Sequence, residues 1–365
     1  MTATGPRVDP GFWRGRRVFV TGHTGFKGSW LSLWLESLGT ETIGYALEPP
    51  TTPSLFAEAR VAERMTSLCA DVRDAPRLAA EMQAFRPEVV FHLAAQPLVR
   101  DSYRAPIETY STNVLGTVHV LEAVRATPGV RALINVTTDK VYDNREWVWG
   151  YRESERLGGH DPYSSSKACS ELVTEAYRRS FFAPERPGAH GTAVASARAG
   201  NVVGGGDWAA DRLVPDCMRA LLAGQEIVIR RPDAVRPWQH VLEPLGGYLL
   251  LAQHLVADGQ AFAEAWNFGP GDEGVRTVGW IADRMASRFP ASAGVRVAPG
   301  PHPHETTLLR LDCSKAQARL GWRPRLSLEE GLDMTIEWFE RRRRGEDVRR
   351  TTLEQVAGFS RRLEE

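Results

Sequence analysis

A phenol and an ammonium four residues apart open the chemical reading of this chain. Tyr163 and Lys167 lie in Asp161-Pro162-Tyr163-Ser164-Ser165-Ser166-Lys167, a segment that reads as helical through Arg179, so the two side chains share a face. A free phenol ionises only near pH 10, and a neighbouring ammonium brings phenolate within reach of neutrality. That is the base an alcohol oxidation needs. A tyrosine and a lysine at this spacing are common by chance, and the pair gains meaning from what precedes it. The apolar run Ala132–Val136 leads into Thr137-Thr138-Asp139-Lys140. Thr138 suits a hydrogen bond to a substrate hydroxyl, while Asp139 and Lys140 add an acid and a possible base, more than a plain dehydrogenase requires.

Oxidation needs a hydride acceptor, and the N-terminal part of the chain is built to hold one. The β-branched run 18–20 enters Thr21-Gly22-His23-Thr24-Gly25-Phe26-Lys27-Gly28, and a helix follows. Glycine is required where the turn is tight, where backbone approaches a pyrophosphate and where helix packs on strand. The helix then offers free N–H groups and its positive dipole end to phosphates. Gly22, Thr24, Gly25, Phe26 and Gly28 are therefore expected at the cofactor. Twenty residues beyond Gly28 stands Glu48, where a carboxylate would hold the adenosine ribose and favour NAD over NADP. Asp71 is expected at the adenine. Leu93, Ala94 and Ala95 end the next strand, where small side chains let the backbone pass beneath the cofactor, and Tyr163 and Lys167 complete the cofactor contacts.

These residues require a particular scaffold. Up to residue 136, short apolar runs at 18–20, 42–45, 89–93 and 132–136 alternate with helix-length segments at 30–38, 75–85 and 114–126, the order of a doubly wound parallel α/β sheet. After Arg198 the texture becomes richer in glycine and proline, with shorter strands, as suits a lobe that closes over a substrate. The expected division is a Rossmann domain over 1–198 carrying the catalytic residues, a smaller C-terminal α/β substrate lobe over 199–345 with segments crossing back, and a tail over 346–365. The 365 residues suffice for both parts. With 45 basic and 45 acidic residues there is no overall field to hold nucleic acid or an anionic membrane. Four scattered cysteines show neither metal-ligand spacing nor a disulfide framework, and no signal peptide or membrane span is evident. A cytoplasmic protein without metal is expected.

With these residues in place, the chain resembles the extended short-chain dehydrogenases that act on sugar nucleotides, over nearly its whole length. The resemblance is carried by TGHTGFKGSWLSLWL at 21–35, TTDKVYDN at 137–144, WGYRE at 149–153, AGNVVGGGDW at 199–208 and RPWQHV at 236–241. It is strongest to the 4,6-dehydratases, whose strand-end motif is Thr-Asp-Glu. Thr138 and Asp139 match that motif; Lys140 replaces the glutamate, as in the CDP-glucose branch. The resemblance implies NAD as cofactor, CDP-glucose as substrate and a homodimer or homotetramer built through the helices around 114–126 and 167–177. It places Asn201 and Arg236 at the substrate diphosphate, with Gln96 and Arg212 as further substrate contacts. The implied reaction oxidises C4 with Tyr163 as base, removes water across C5 and C6 with help from Asp139, and returns the hydride to C6. Lys140 would govern the C5 proton as base or enolate stabiliser. The rivals are a GDP-mannose 4,6-dehydratase, a UDP-hexose 4-epimerase, which has no use for Asp139, and an NAD-binding sensor, which would have no need of Tyr163 and Lys167.

Overall fold

The computed structural model describes residues 7–186, 188, 190–289, 292–298 and 307–364. Strands β1 (Arg17–Thr21), β2 (Glu41–Ala46), β3 (Thr66–Cys69), β4 (Val89–His92), β5 (Ala132–Val136) and β6 (Ala193–Arg198) are joined by the later strand Ala265–Asn267 in one seven-stranded sheet. The order is Ala265–Asn267, β6, β5, β4, β1, β2, β3, and every pairing is parallel. This is the doubly wound sheet expected from the alternating pattern. Both faces are covered, which is why the central strands read as continuous apolar runs. Within β1, Val18 and Val20 enter one core with Trp30, Leu33 and Leu245, while Phe19 enters the other with Leu78, Met82 and Val120.

Three helices come out close to expectation, at Phe26–Ser37, Ala75–Phe85 and Gly116–Arg125. The first begins a turn earlier than the apolar pattern alone suggested, directly on the glycine turn. It is buried all round from Gly28 to Leu35. The reason lies at the other end of the chain, in the stretch read as a tail. Val348–Glu364 is a helix that packs over the outer face of Phe26–Ser37, with Phe359 edge-on to Trp34 at 5.8 Å and Arg349 paired with Glu36. An all-round apolar helix needs such a second layer.

The smaller lobe is assembled from short pairings. Ile227–Ile229 runs parallel to Val295–Val297, Val235–Pro237 runs antiparallel to Val275–Thr277, and Val202–Val203 runs parallel to Gln239–His240. The chain crosses back to the sheet through Leu242–Ala257, whose residues Leu245, Leu249 and Leu251 are fully buried, and through Ala265–Asn267.

Candidate active site

The carboxyl ends of the strands open into a cleft of about 1460 Å³ between the sheet and the smaller lobe. Ordinary small-molecule pockets reach roughly 1000 Å³, so this one has room for a dinucleotide and a nucleotide sugar together. Its floor is the glycine turn. Gly22 has φ +76°, and a Cβ there would lie 2.7 Å from the Ala94 nitrogen; a Cβ on Gly28 would lie 2.1 Å from the Gly22 oxygen. The helix Phe26–Ser37 starts at Gly25 without a side-chain cap, which leaves its first N–H groups available to a phosphate. This cradle fits the pyrophosphate of a dinucleotide. His23, inside the motif, is a packing residue. It fills the space a Cβ on Gly44 would take and bonds Ser67 through Nε2 at 2.7 Å, and burial lowers its pKa to about 4.

All the expected cofactor residues line the cleft, including Thr24, Phe26, Leu93 and Ala95. Glu48 is exposed at the rim next to Cys69, whose thiol is pushed up by a hydrogen bond to the Glu48 carboxyl. Asp71 is on the wall with its carboxylate engaged by Arg73, which holds it below the ordinary range. Gln96 is held differently. Its backbone is clamped by Asn113, which accepts from the Gln96 N–H at 2.9 Å and donates to its carbonyl at 3.1 Å. The Gln96 amide turns to the Leu98 carbonyl at 3.0 Å, and the side chain is not on the cleft wall. Asn113 escaped the sequence reading; its signal is a buried amide within a helical run, and it also donates to Ser166 at 2.8 Å.

The catalytic helix Pro162–Ser180 is started by Asp161, which accepts from the Ser164 N–H at 2.9 Å and from its hydroxyl at 2.6 Å. This cap fixes the first turn, and with it Tyr163 and Lys167, against the end of β5. Lys167 donates to the Val136 carbonyl at 3.2 Å, and burial lowers its amine to about 8. Tyr163 hydrogen-bonds Thr138. Its phenol does not fall toward neutrality as the lysine spacing suggested. Burial pushes it up to about 12, with Asp139 adding to the rise and Thr138 and Arg212 opposing it. The physical reason is desolvation of the phenolate in a narrow cleft, which outweighs the cations within reach. Beneath this level, Glu171 accepts from Thr137, Ser196 and Arg198, and both members of the Glu171–Arg198 pair are almost fully buried. Burial alone would raise Glu171, but Arg198 and the hydroxyl donors hold it below its ordinary range. A fully bonded pair of this kind fixes the end of β5 where Thr138 must point.

At that strand end Thr138 and Lys140 face the cleft, and Asp139 does not. Its side chain is wholly buried behind the wall, against Gly200, where a Cβ would come within 1.9 Å of the carboxylate. Asp139 accepts from Thr138 at 3.0 Å and from the Asn201 amide at 3.4 Å, and it faces the Lys140 ammonium at 3.5 Å. Lys140 itself is 28% exposed. Asn201, at φ +44°, Arg212 and Arg236 all line the lobe side; Arg212 pairs with Asp207 at 2.9 Å, and Arg236 donates to the Val235 carbonyl at 2.9 Å. Lys27, in the glycine turn, also lines the cleft and was not singled out from sequence. Among the described residues no group of three or more histidines, cysteines, aspartates or glutamates could hold a metal ion, and no helix is long and apolar enough to cross a membrane.

A tyrosine–lysine pair at the mouth of a dinucleotide crevice, on a doubly wound parallel sheet, defines a dehydrogenase/reductase-type site with a second lobe for a large substrate. Comparison with known proteins narrows this. The GDP-mannose 4,6 dehydratase family model matches residues 19–335. The chain therefore belongs to this family of nucleotide-sugar 4,6-dehydratases, as the sequence resemblance implied. It is 55% identical to CDP-glucose 4,6-dehydratase of Salmonella typhimurium over 93% of this chain and 95% of that protein. It is 30% identical to dTDP-glucose 4,6-dehydratase of Streptomyces antibioticus over 88% of this chain and 92% of that protein. Among solved structures, dTDP-glucose 4,6-dehydratase from Streptomyces venezuelae with NAD bound superposes with a TM-score of 0.76 at 27% identity, covering 91% of this chain and 99% of that one. UDP-glucose 4-epimerase from Thermotoga maritima gives 0.75 at 25% identity, covering 89% and 99%.

Proposed function

We propose that this protein is an NAD-dependent dehydratase that converts CDP-glucose to CDP-4-dehydro-6-deoxy-glucose. The observation that carries the reading is the convergence of Tyr163, Thr138 and Lys140, the last backed by the buried Asp139, on one cleft beside the dinucleotide cradle, in a chain 55% identical to a CDP-glucose 4,6-dehydratase. NAD, which Gly22, Gly25 and Gly28 would hold by its pyrophosphate, would supply the hydride chemistry of the reaction.

The chain's own residues supply the proton chemistry. Tyr163 takes the C4 hydroxyl proton, with Thr138 orienting that hydroxyl, and Lys167 would hold the cofactor ribose. The resulting ketone acidifies C5. Lys140, on the wall and backed by Asp139, stabilises the enolate as an ammonium; its pairing and exposure suit that role better than a neutral base. Asp139 lies one layer back, 3.5 Å from the Lys140 ammonium; the C5 proton is relayed through Lys140 to the Asp139 carboxylate and returned the same way to the C6 hydroxyl, which leaves as water. Arg236, Arg212 and Asn201 take the substrate diphosphate, matching planar cations and an amide to phosphate oxygens. An epimerase needs no acid–ammonium pair at this strand end, and the pair favours dehydration. The discriminating experiment compares kcat/KM for CDP-, UDP-, dTDP- and GDP-sugars by formation of the 4-keto product. CDP-glucose is expected to lead clearly, and preference for another nucleotide would refute the substrate assignment.

Glu48 at the rim supports NAD over NADP. Glu48→Arg is expected to move cofactor preference toward NADP, read as the ratio of the two dissociation constants; an unchanged ratio would mean that another group holds the ribose. A homo-oligomer through the helices around 114–126 and 167–177 is supported by exposed Ile107, Leu115 and Leu172 on this face. A monomeric mass by light scattering would contradict it. Four free cysteines are consistent with a cytoplasmic setting, and recovery of the protein outside that fraction would count against it.

A further inference from the structure

Strand β4 ends in a polar residue that the dehydration chemistry above does not use. His92 closes the run Val89–His92 and is buried behind the part of the cleft wall formed by Leu93, Ala94 and Ala95. Its two ring nitrogens reach two different parts of the site. Nδ1 is 2.7 Å from the Thr21 hydroxyl, which accepts from the Ala94 N–H at 3.1 Å and shares the Leu93 N–H with the Thr21 carbonyl. Nε2 is 3.2 Å from the Thr117 hydroxyl, which is 2.9 Å from the hydroxyl of Ser170 on the catalytic helix, three residues beyond Lys167. Thr21, Thr117 and Ser170 are as buried as the histidine. Counting protons fixes the direction of this chain. Thr117 gives its hydroxyl proton to the Asn113 carbonyl at 2.7 Å, and Ser170 accepts from the Asn135 amide at 2.9 Å. Thr117 is then an acceptor from both Ser170 and the ring, so the ring carries its proton on Nε2 and accepts from Thr21 on Nδ1. The other tautomer would leave Nε2 facing a hydroxyl with no proton to give, a buried acceptor unmet. Burial first, and Lys167 next, lower the pKa of the ring to about 3, so it stays neutral.

We propose that His92 is a positioning residue, which through this directed chain of hydrogen bonds ties the floor under the cofactor to the catalytic helix and so sets the separation of hydride acceptor and substrate carbon. The inference rests on the function proposed above. The floor has no slack on the side of the glycine turn, since a Cβ on Gly22 would already lie 2.7 Å from the Ala94 nitrogen. On the other side the catalytic helix carries Tyr163 and Lys167. Floor and helix are separate elements. Apolar packing between them is non-directional, whereas hydrogen bonds of 2.7, 3.2 and 2.9 Å in series fix both distance and angle. Hydride transfer is sensitive to that separation, because a misplacement of about 1 Å can cost about 10²-fold in rate. His92 is not on the cleft wall and acts only through the groups it holds.

Two measurements on the full chain test this. With the nine histidines labelled with nitrogen-15, the resonances absent from His92→Gln identify the ring, which in the protein alone should show a protonated Nε2 and an accepting Nδ1. A proton on Nδ1 instead would overturn the chain of bonds and the proposal with it. The second measurement compares wild type, His92→Phe and His92→Gln with CDP-glucose carrying hydrogen or deuterium at C4. In His92→Phe, kcat is expected to fall by roughly tenfold to a hundredfold, with KM for CDP-glucose and Kd for NAD within about threefold of wild type. The isotope effect on kcat should rise, because the hydride step has become slower. Glutamine keeps a donor toward Thr117 and should recover part of the rate; should the phenylalanine variant fail to fold by circular dichroism, glutamine carries the comparison. A lower kcat with an unchanged isotope effect would make His92 a residue of stability only and overturn the proposal. Weaker NAD binding with an unchanged kcat at saturation would overturn it too, as a floor without coupling to the helix. If the wild type left CDP-glucose unchanged, the function proposed above would fall and this role with it, whereas a wild type whose kcat and isotope effect His92→Phe shares overturns this role alone.

Discussion

Tyr163→Phe is expected to lower turnover by about 10²–10⁴-fold while NAD and CDP-glucose still bind with nearly wild-type affinity. The substitution removes one oxygen from a buried ring and leaves the helix start at Asp161, which makes no use of the phenol, unchanged. The loss should appear in the first half-reaction. Single-turnover mixing of the variant, NAD and CDP-glucose should show no rise in reduced-nicotinamide absorbance on the wild-type timescale. The phenol of the protein alone is pushed up to about 12, so its proton leaves readily only when further positive charge stands beside it, as the oxidised nicotinamide provides. A variant within about threefold of wild type would exclude Tyr163 as the base.

Lys140→Ala has the second large effect, and at a different step. The variant should oxidise C4 in a single turnover, because Tyr163, Thr138 and Lys167 remain, but should eliminate water at least about 10²-fold more slowly. Reduced nicotinamide would then accumulate transiently where the wild type shows little. Removing the ammonium also leaves the wholly buried Asp139 with only Thr138 and Asn201 as partners, so both functions assigned to the pair are impaired together. Normal turnover with normal solvent-deuterium incorporation at C5 would remove Lys140 from the chemistry.

The parts of this molecule that are local in sequence were legible there. The glycine turn, the buried apolar strands and the tyrosine–lysine helix each declare themselves within a dozen residues, because turn geometry, burial on both faces and helical spacing are local constraints. What depends on distant contacts was not. Asp139 reads as a wall residue until Gly200, far along the chain, is seen to open the space that takes its carboxylate out of the cleft. The clamp of Asn113 on the Gln96 backbone joins residues seventeen apart, and nothing local announces it. The fall expected for Tyr163 followed from its spacing to Lys167, whereas the burial that governs it comes from the closing of two lobes. The helix Val348–Glu364 left a trace in the all-round apolar stretch SWLSLWL, which has no exposed face and so required a cover that a tail could not supply. Lys27 was hidden by its own motif, since a residue inside a glycine turn is read for the backbone rather than the side chain.

The central claim is that one sugar is oxidised at C4, dehydrated and reduced at C6 without exchange of its hydride. CDP-glucose carrying deuterium at C4, incubated with the protein and catalytic NAD in ordinary water, tests this in one experiment by NMR and mass analysis of the product. The account predicts CDP-4-dehydro-6-deoxy-glucose with the deuterium recovered in the C6 methyl group and no build-up of free reduced cofactor. Deuterium retained at C4 of an epimerised sugar, or lost into free NADH in proportion to product, would contradict it.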